Sequence, residues 1–172
     1  MEVKMQNFTI AVLVYNRFGV LNRVTSMFRR RRFNIESLTV SETESPEYSR
    51  ITVKSYGEET AKDQLIDQLH KLPDVVSIMD LKDIDTVSCE LLLIKMQNSP
   101  ETRGDICAAA EAYGAKIVDY TRESMIFRLT DDSGRLDRFI DLMRDHTILE
   151  ICRTGNVSLE RGSVTIEKHD IS

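Results

Sequence analysis

The chain alternates between short runs that are almost wholly apolar and longer stretches in which apolar residues return every three or four positions. The first kind of pattern predicts buried strands and the second predicts amphipathic helices. Phe8 to Tyr15 is an apolar, β-branched run of strand length, expected to be a central strand buried on both faces. Asn16-Arg17-Phe18-Gly19 then breaks it with turn chemistry. From Val20 the period changes, and Val20, Leu21, Val24, Met27 and Phe28 share one helical face while Arg23, Arg29 and Arg30 mostly take the other. This first strand–helix unit ends near Phe33.

Ile35 to Thr43 and Arg50 to Tyr56 are two more strand-like runs, joined by the polar turn Glu44-Ser45-Pro46-Glu47 into a hairpin. Gly57-Glu58-Glu59 is expected to open a second helix with Leu65, Leu69 and Leu72 on one stripe, and Pro73-Asp74 stops it before a strand from Val75 to Leu81. The order is βαββαβ. It recurs after the polar stretch Lys82-Asp83-Ile84-Asp85, which reads as a linker. Glu90 to Met96 is a strand, Ser99-Pro100-Glu101 predicts an N-cap with proline at the first helical position, and Gly114 ends that helix. Strands at Ala115 to Thr121 and Met125 to Leu129, a helix from Ser133 bearing Leu136, Phe139, Ile140 and Met143, and a strand near Ile148 to Cys152 complete the second half.

Such a unit lays two helices on one face of a four-stranded antiparallel sheet, so the expected fold is α+β, two ferredoxin-like βαββαβ domains at residues 5–82 and 87–166. The other sheet face and the sheet edges then need cover. Each half is close to the size at which a single core is marginal, so docking or oligomerisation is expected, with self-association of the first half through sheet edges preferred.

Composition narrows the function classes. Hydrophobic residues at 41% and charged residues at 30% place the chain among ordinary globular proteins. No apolar run approaches the length of a membrane helix, and the polar start from Met1 to Asn7 does not read as a signal segment, so a cytoplasmic protein without a membrane role is expected. Cys89, Cys107 and Cys152 are scattered, with no CxxC pair and no histidine at ligand spacing, so neither disulfides nor a metal site are implied. A net charge of −5 argues against nucleic acid as a partner. The basic run Arg29-Arg30-Arg31-Arg32 closes the first helix, where cations complement the negative end of the macrodipole; it reads as a solvated helix end, with an interaction patch as the other reading.

No catalytic constellation is present in the pattern. His70, His146 and His169 stand apart from any nucleophile or metal motif, and no Gly-rich phosphate loop occurs. The turn at Asn16 to Val24 has more content. Gly19 lets the chain bend where strand gives way to helix, so the amides of Gly19, Val20 and Leu21 can point out of a helix N-terminus, which suits a carboxylate. Asn16 offers a donor and an acceptor for the opposite end of an amino acid. Asn34 and Ile35 begin the second strand, a sheet edge in this fold, and two copies paired along that edge would bring Asn34 of one to the turn of the other. On spacing alone, the plainer reading of Gly19 as a helix-starting glycine and Asn34 as a turn residue is favoured over a binding role.

At these residues the sequence resembles the regulatory (small) subunits of acetolactate synthase, also called acetohydroxyacid synthase. The resemblance rests on Asn16 to Val24 and, more specifically, on Phe33-Asn34-Ile35-Glu36-Ser37-Leu38-Thr39-Val40. Further matches are Ser49 to Thr52, Gln68 to Leu72, Asp74-Val75, Arg153-Thr154-Gly155 and Ser158 to Gly162. It implies an N-terminal ACT domain that binds valine at a homodimer interface, a C-terminal ferredoxin-like domain, and a complex with a separate catalytic (large) subunit that this chain activates and makes sensitive to feedback inhibition. Thiamine diphosphate, FAD and magnesium would belong to that catalytic partner, and this chain would be non-catalytic. Carried over, Asn16 and Asn34 would hold the ligand's polar groups, Gly19, Val20 and Leu21 would supply amides, and Ile35 would add backbone or apolar contact. Asn22 departs from the serine common in relatives, and its larger side chain bears on which branched-chain amino acid is preferred. An amino-acid-sensing regulator of another enzyme or of transcription is the alternative function.

Overall fold

The computed structural model of the chain describes residues 5–82 and 85–168, which leaves His169 and the central linker residues Asp83 and Ile84 outside the description. It divides into two units, Met1–Val87 with Asn156–Ser172, and Ser88–Gly155. The first unit runs β1 (Met5–Tyr15), α1 (Val20–Arg30), β2 (Asn34–Glu42), β3 (Tyr48–Glu58), α2 (Glu59–Leu69) and β4 (Val75–Leu81). Its sheet is antiparallel with order β2-β3-β1-β4, which leaves β2 as an edge. The expected burial of β1 on both faces holds from Phe8 to Val14. Phe8, Ile10, Val12 and Val14 pack with Val20, Val24 and Phe28 of α1 and with Leu65 and Leu69 of α2, while Ala11 and Leu13 face Met79 and Leu81 on the other side. Burying each such aliphatic or aromatic side chain contributes about 1.5–3 kcal/mol.

The apolar stripe of α1 is narrower than its sequence suggests. Val20, Val24 and Phe28 repeat every fourth position and are buried, whereas Leu21 turns outward with 41% of its surface exposed. The helix ends in a Schellman arrangement: the Phe33 N–H donates to the Phe28 carbonyl at 2.9 Å and the Arg32 N–H to the Arg29 carbonyl at 3.1 Å. That geometry needs a left-handed residue, usually glycine, and here Arg32 takes it at φ 60°. Phe33 then folds back onto Phe8, ring edge to ring face at 5.4 Å between centroids. A β-carbon on Gly57 would collide with the Phe33 ring, so Gly57 makes this approach possible. Gly57 therefore lies within β3, and α2 opens two residues later than the sequence start at Gly57 suggested.

The second unit comprises most of β5 (Thr86–Gln97), then α3 (Arg103–Tyr113), β6 (Lys116–Tyr120), β7 (Ser124–Asp131), α4 (Ser133–Met143) and β8 (Ile148–Arg153). Its strands order β6-β7-β5-β8, the same topology, and Leu92, Ile94 and Met96 pack with Phe127, Leu136 and Phe139 in its core. Regular helix in α3 begins at Arg103, but the expected cap chemistry stands in the preceding turn. Ser99 Oγ accepts from the Thr102 N–H at 3.3 Å, and the Ser99 carbonyl accepts from the Arg103 N–H at 3.0 Å. Arg153 donates to the buried Glu90 carboxylate, to Asp137 and to Ser133. Burial alone lowers the Arg153 guanidinium, and its bonds to Asp137 and Glu90 outweigh that, leaving it above its ordinary value. Two βαββαβ antiparallel units make the fold the expected α+β pair of ferredoxin-like halves.

One segment departs from the sequence division at residues 87–166. β9 (Val157–Glu160) and a 3₁₀ turn (Ile166–Lys168) belong to the first unit. Arg50 donates to the Ser158 carbonyl at 2.9 Å, the Asn156 N–H donates to Ser37 Oγ at 3.4 Å, and the Arg161 N–H donates to the Asp85 carbonyl at 2.7 Å. Burial holds the Arg50 guanidinium below its ordinary value. Ile166 is buried against Ala11, Leu13, Met79 and Leu81, so the chain's own late residues cover part of the sheet face opposite the helices.

Candidate effector site

The turn after β1 is fixed at both ends by the backbone. The Tyr15 N–H donates to the Asp74 carbonyl at 2.9 Å and the Asn16 N–H to the Glu47 carbonyl at 2.8 Å. Arg17 stacks its guanidinium over the Tyr15 ring at 4.7 Å, and Phe18 projects fully into solvent. Gly19 adopts φ 80° and starts α1, with nothing within 4 Å of where a β-carbon would lie. Arg23, one turn into the helix, reaches the Asp74 carboxylate at 2.8 Å and ties α1 to the loop before β4.

This helix start is electrostatically bare. No side chain caps it and no acidic residue stands in its first turn. The Val20 N–H donates weakly, to the Arg17 carbonyl at 3.4 Å, whereas the N–H groups of Gly19, Leu21 and Asn22 meet no acceptor among the described residues. Open amides at the positive end of a helix dipole form a receptor for one carboxylate. Asn22 thus presents an open amide beside those of Gly19 and Leu21, while Val20 is partly engaged and buries its side chain in the core.

Asn16 differs from its sequence reading in one respect. Its Nδ2 donates to Glu42 Oε1 at 3.0 Å and to the Pro46 carbonyl at 3.1 Å, which occupies both amide hydrogens. Oδ1 is what Asn16 has left to offer, an acceptor suited to an ammonium. Glu42 was not among the expected site residues. It ends the second strand run, and no spacing rule links that position to a residue 26 places earlier.

Asn34 and Ile35 lie elsewhere in the same copy. Asn34 stands opposite Tyr56 on β3, level with Asn7, whereas Tyr15, next to Asn16, stands opposite Tyr48. At about 3.3 Å per residue the two asparagines are roughly 25 Å apart along the sheet. Asn34 is exposed at the start of the edge strand with its carbonyl accepting from Ser55 Oγ at 2.7 Å, and Ile35 packs partly against the first core. One copy therefore does not bring Asn16 and Asn34 together. Among the described residues, no group of three or more His, Cys, Asp or Glu side chains is placed to hold a metal, and no helix is long and apolar enough to cross a membrane.

Comparison with known proteins is consistent along the chain. Residues 10–77 match the AHAS small subunit-like ACT domain, and residues 89–162 match the small subunit of acetolactate synthase. The acetolactate synthase small subunit of Bacillus subtilis is 40% identical over 155 residues, covering 90% of each chain. A protein of Archaeoglobus fulgidus described as a probable acetolactate synthase small subunit is 44% identical over 155 residues, 90% of this chain and 97% of that one. The crystal structure of the acetolactate synthase small subunit from Thermotoga maritima superposes with a TM-score of 0.86 at 33% identity, over 92% of this chain and 99% of that one. With both halves matched in order and at these identities, the chain belongs to the acetolactate synthase small-subunit family.

Proposed function

We propose that this chain is the non-catalytic regulatory subunit of an acetolactate synthase, and that it binds valine between two copies and thereby changes the activity of a separate catalytic subunit. The observation that carries the reading is the bare start of α1 beside an asparagine whose amide hydrogens are already engaged. The amides of Gly19, Leu21 and Asn22 take the ligand's carboxylate, and Asn16 Oδ1 takes its ammonium. An amino acid carries both of these charges on one carbon, so a single small ligand can meet both kinds of partner.

The edge strand supplies the rest. If two β2 strands pair antiparallel about Leu38, the bulge between Ile35 and Ser37 brings Asn34 of one copy level with Ser41 of the other, next to Glu42 and so near Asn16. Each pocket then takes its turn from one copy and Asn34 with Ile35 from the other. Ligand that prefers one arrangement of the pair shifts the attached enzyme by no more than that preference. Thiamine diphosphate, FAD and magnesium reside on the catalytic partner, which carries out the bond-making chemistry in the cytoplasm.

Co-purification with the catalytic subunit, followed by activity assays with and without valine, tests this function. Association, a rise in activity and a fall on adding valine are expected. A chain that neither associates nor alters activity overturns it.

A further inference from the structure

Opposite charges stand at the two ends of the edge strand β2. Just before it, Arg29 to Arg32 close α1 and are all exposed; at its end and just beyond it, Glu42, Glu44 and Glu47 surround the hairpin turn. Among the described residues, none of these seven side chains makes an ion pair. Arg31 donates to Gln64 and Glu42 accepts from Asn16, both neutral partners. Arg32 occupies a left-handed conformation that disfavours any residue with a β-carbon, so its side chain stands there at a local conformational cost. In a chain of net charge −5, four uncompensated arginines in a row form a strongly polarised feature.

We infer that these charges form a self-complementary clasp between two copies of this chain, Arg29 to Arg32 of one meeting Glu42, Glu44 and Glu47 of the other. The inference rests on the two-copy site proposed above and adds what selects the antiparallel sense of its pairing. A twofold axis through the middle of an antiparallel β2 pair brings the start of each strand to the end of its neighbour, so the clasp forms twice. Parallel pairing of the two strands would instead set arginines against arginines and glutamates against glutamates. Electrostatic complementarity of this kind chooses orientation and partner more than it adds bulk affinity. Because Glu42 also holds Asn16, the clasp closes beside the effector turn, at the end of the pair to which the antiparallel sense brings the other copy's Asn34.

The test is a charge swap on the full chain, read by sedimentation equilibrium. One variant carries Arg30→Glu with Arg32→Glu, and a second carries Glu44→Lys with Glu47→Lys; neither removes a residue assigned to the effector turn. Each alone sets like charges against each other, and its dimer dissociation constant is expected to rise about tenfold or more. Mixing the two variants restores both contacts and recovers dimer as a heterodimer, as does a single chain carrying all four changes. The wild-type dimer is expected to weaken between about 0.05 and about 0.5 M NaCl as screening shortens to a few ångströms. Single-sided variants that dimerise like wild type, or that dissociate with no rescue on mixing, overturn the clasp, as does loss of binding to the catalytic subunit with an intact dimer. Valine titration of the wild type reports separately on the proposed effector site.

Discussion

Asn16 donates to Glu42 across the end of the first sheet, at 3.0 Å, and the same amide group donates to the Pro46 carbonyl. A residue at the end of the central strand is thereby oriented by the edge hairpin. Removing Glu42 as Glu42→Ala leaves Asn16 held by Pro46 alone and free to rotate its carboxamide. Hydrogen bonds to charged groups contribute about 1.5–3 kcal/mol, so valine affinity should fall by about tenfold or more with little change in melting temperature. Glu42→Gln keeps an acceptor oxygen and should bind nearly as wild type. Calorimetric titration of both variants decides it: equal losses would mean that the Glu42 charge contacts the ligand directly.

Gly19 provides a sharper probe of the proposed anion site. Its φ of 80° is unfavourable for any L side chain by about 1–2 kcal/mol, yet a β-carbon there meets no neighbour. Gly19→Ala should therefore lose stability and keep most valine affinity. Gly19→Asp carries the same strain and adds a carboxylate beside the open amides, where it competes with the ligand's own. Calorimetry should show no valine binding to Gly19→Asp, and activity of the complex should resist valine. Affinities equal to wild type would remove the site from this turn.

Arg32 presents the reverse case, a side chain where the backbone favours glycine. Arg32→Gly should stabilise the first unit by about 0.5–1 kcal/mol, the relief of the left-handed conformation less the added freedom of the unfolded chain. The change also removes one charge from the proposed clasp, so the comparison belongs at about 0.5 M NaCl, where exposed charges are largely screened. Slower hydrogen exchange of the β1 and α1 amides is the expected reading, and faster exchange would show that the guanidinium makes a stabilising contact.

The periodicity of apolar residues was enough to place both βαββαβ units, because burial on one helical stripe or both strand faces leaves a local trace. β4 falls at Val75–Leu81, as its apolar run predicts. Most of the turn chemistry at Gly19 was equally local. What the pattern could not carry was anything joining distant positions. Glu42 reaches Asn16 only because β3 lies between them, and Arg32 reads in sequence as one more member of a basic run rather than as the left-handed end of a helix. The separation of Asn34 from Asn16 likewise follows from strand direction, which residue spacing does not encode.

The open sheet face was expected to need cover through docking or oligomerisation, and part of that cover comes from the chain's own late residues. Ile166 is 8% exposed and packs on Ala11, Leu13, Met79 and Leu81, with Tyr48 beside them. Tyr48 in turn lies against Tyr15 at 5.5 Å between ring centroids, one residue before Asn16. Ile166→Ala removes the anchor of this cover and should destabilise the first unit by about 2–4 kcal/mol, within the range for truncating a buried isoleucine. The loss should be local: amides of β1 and β4 should exchange faster, while those of β7 and α4 in the second unit keep their protection. Ile166→Leu, of equal volume, should restore most of the protection. Faster exchange confined to the residues around position 166 itself would show that Ile166 rests on the sheet without supporting it.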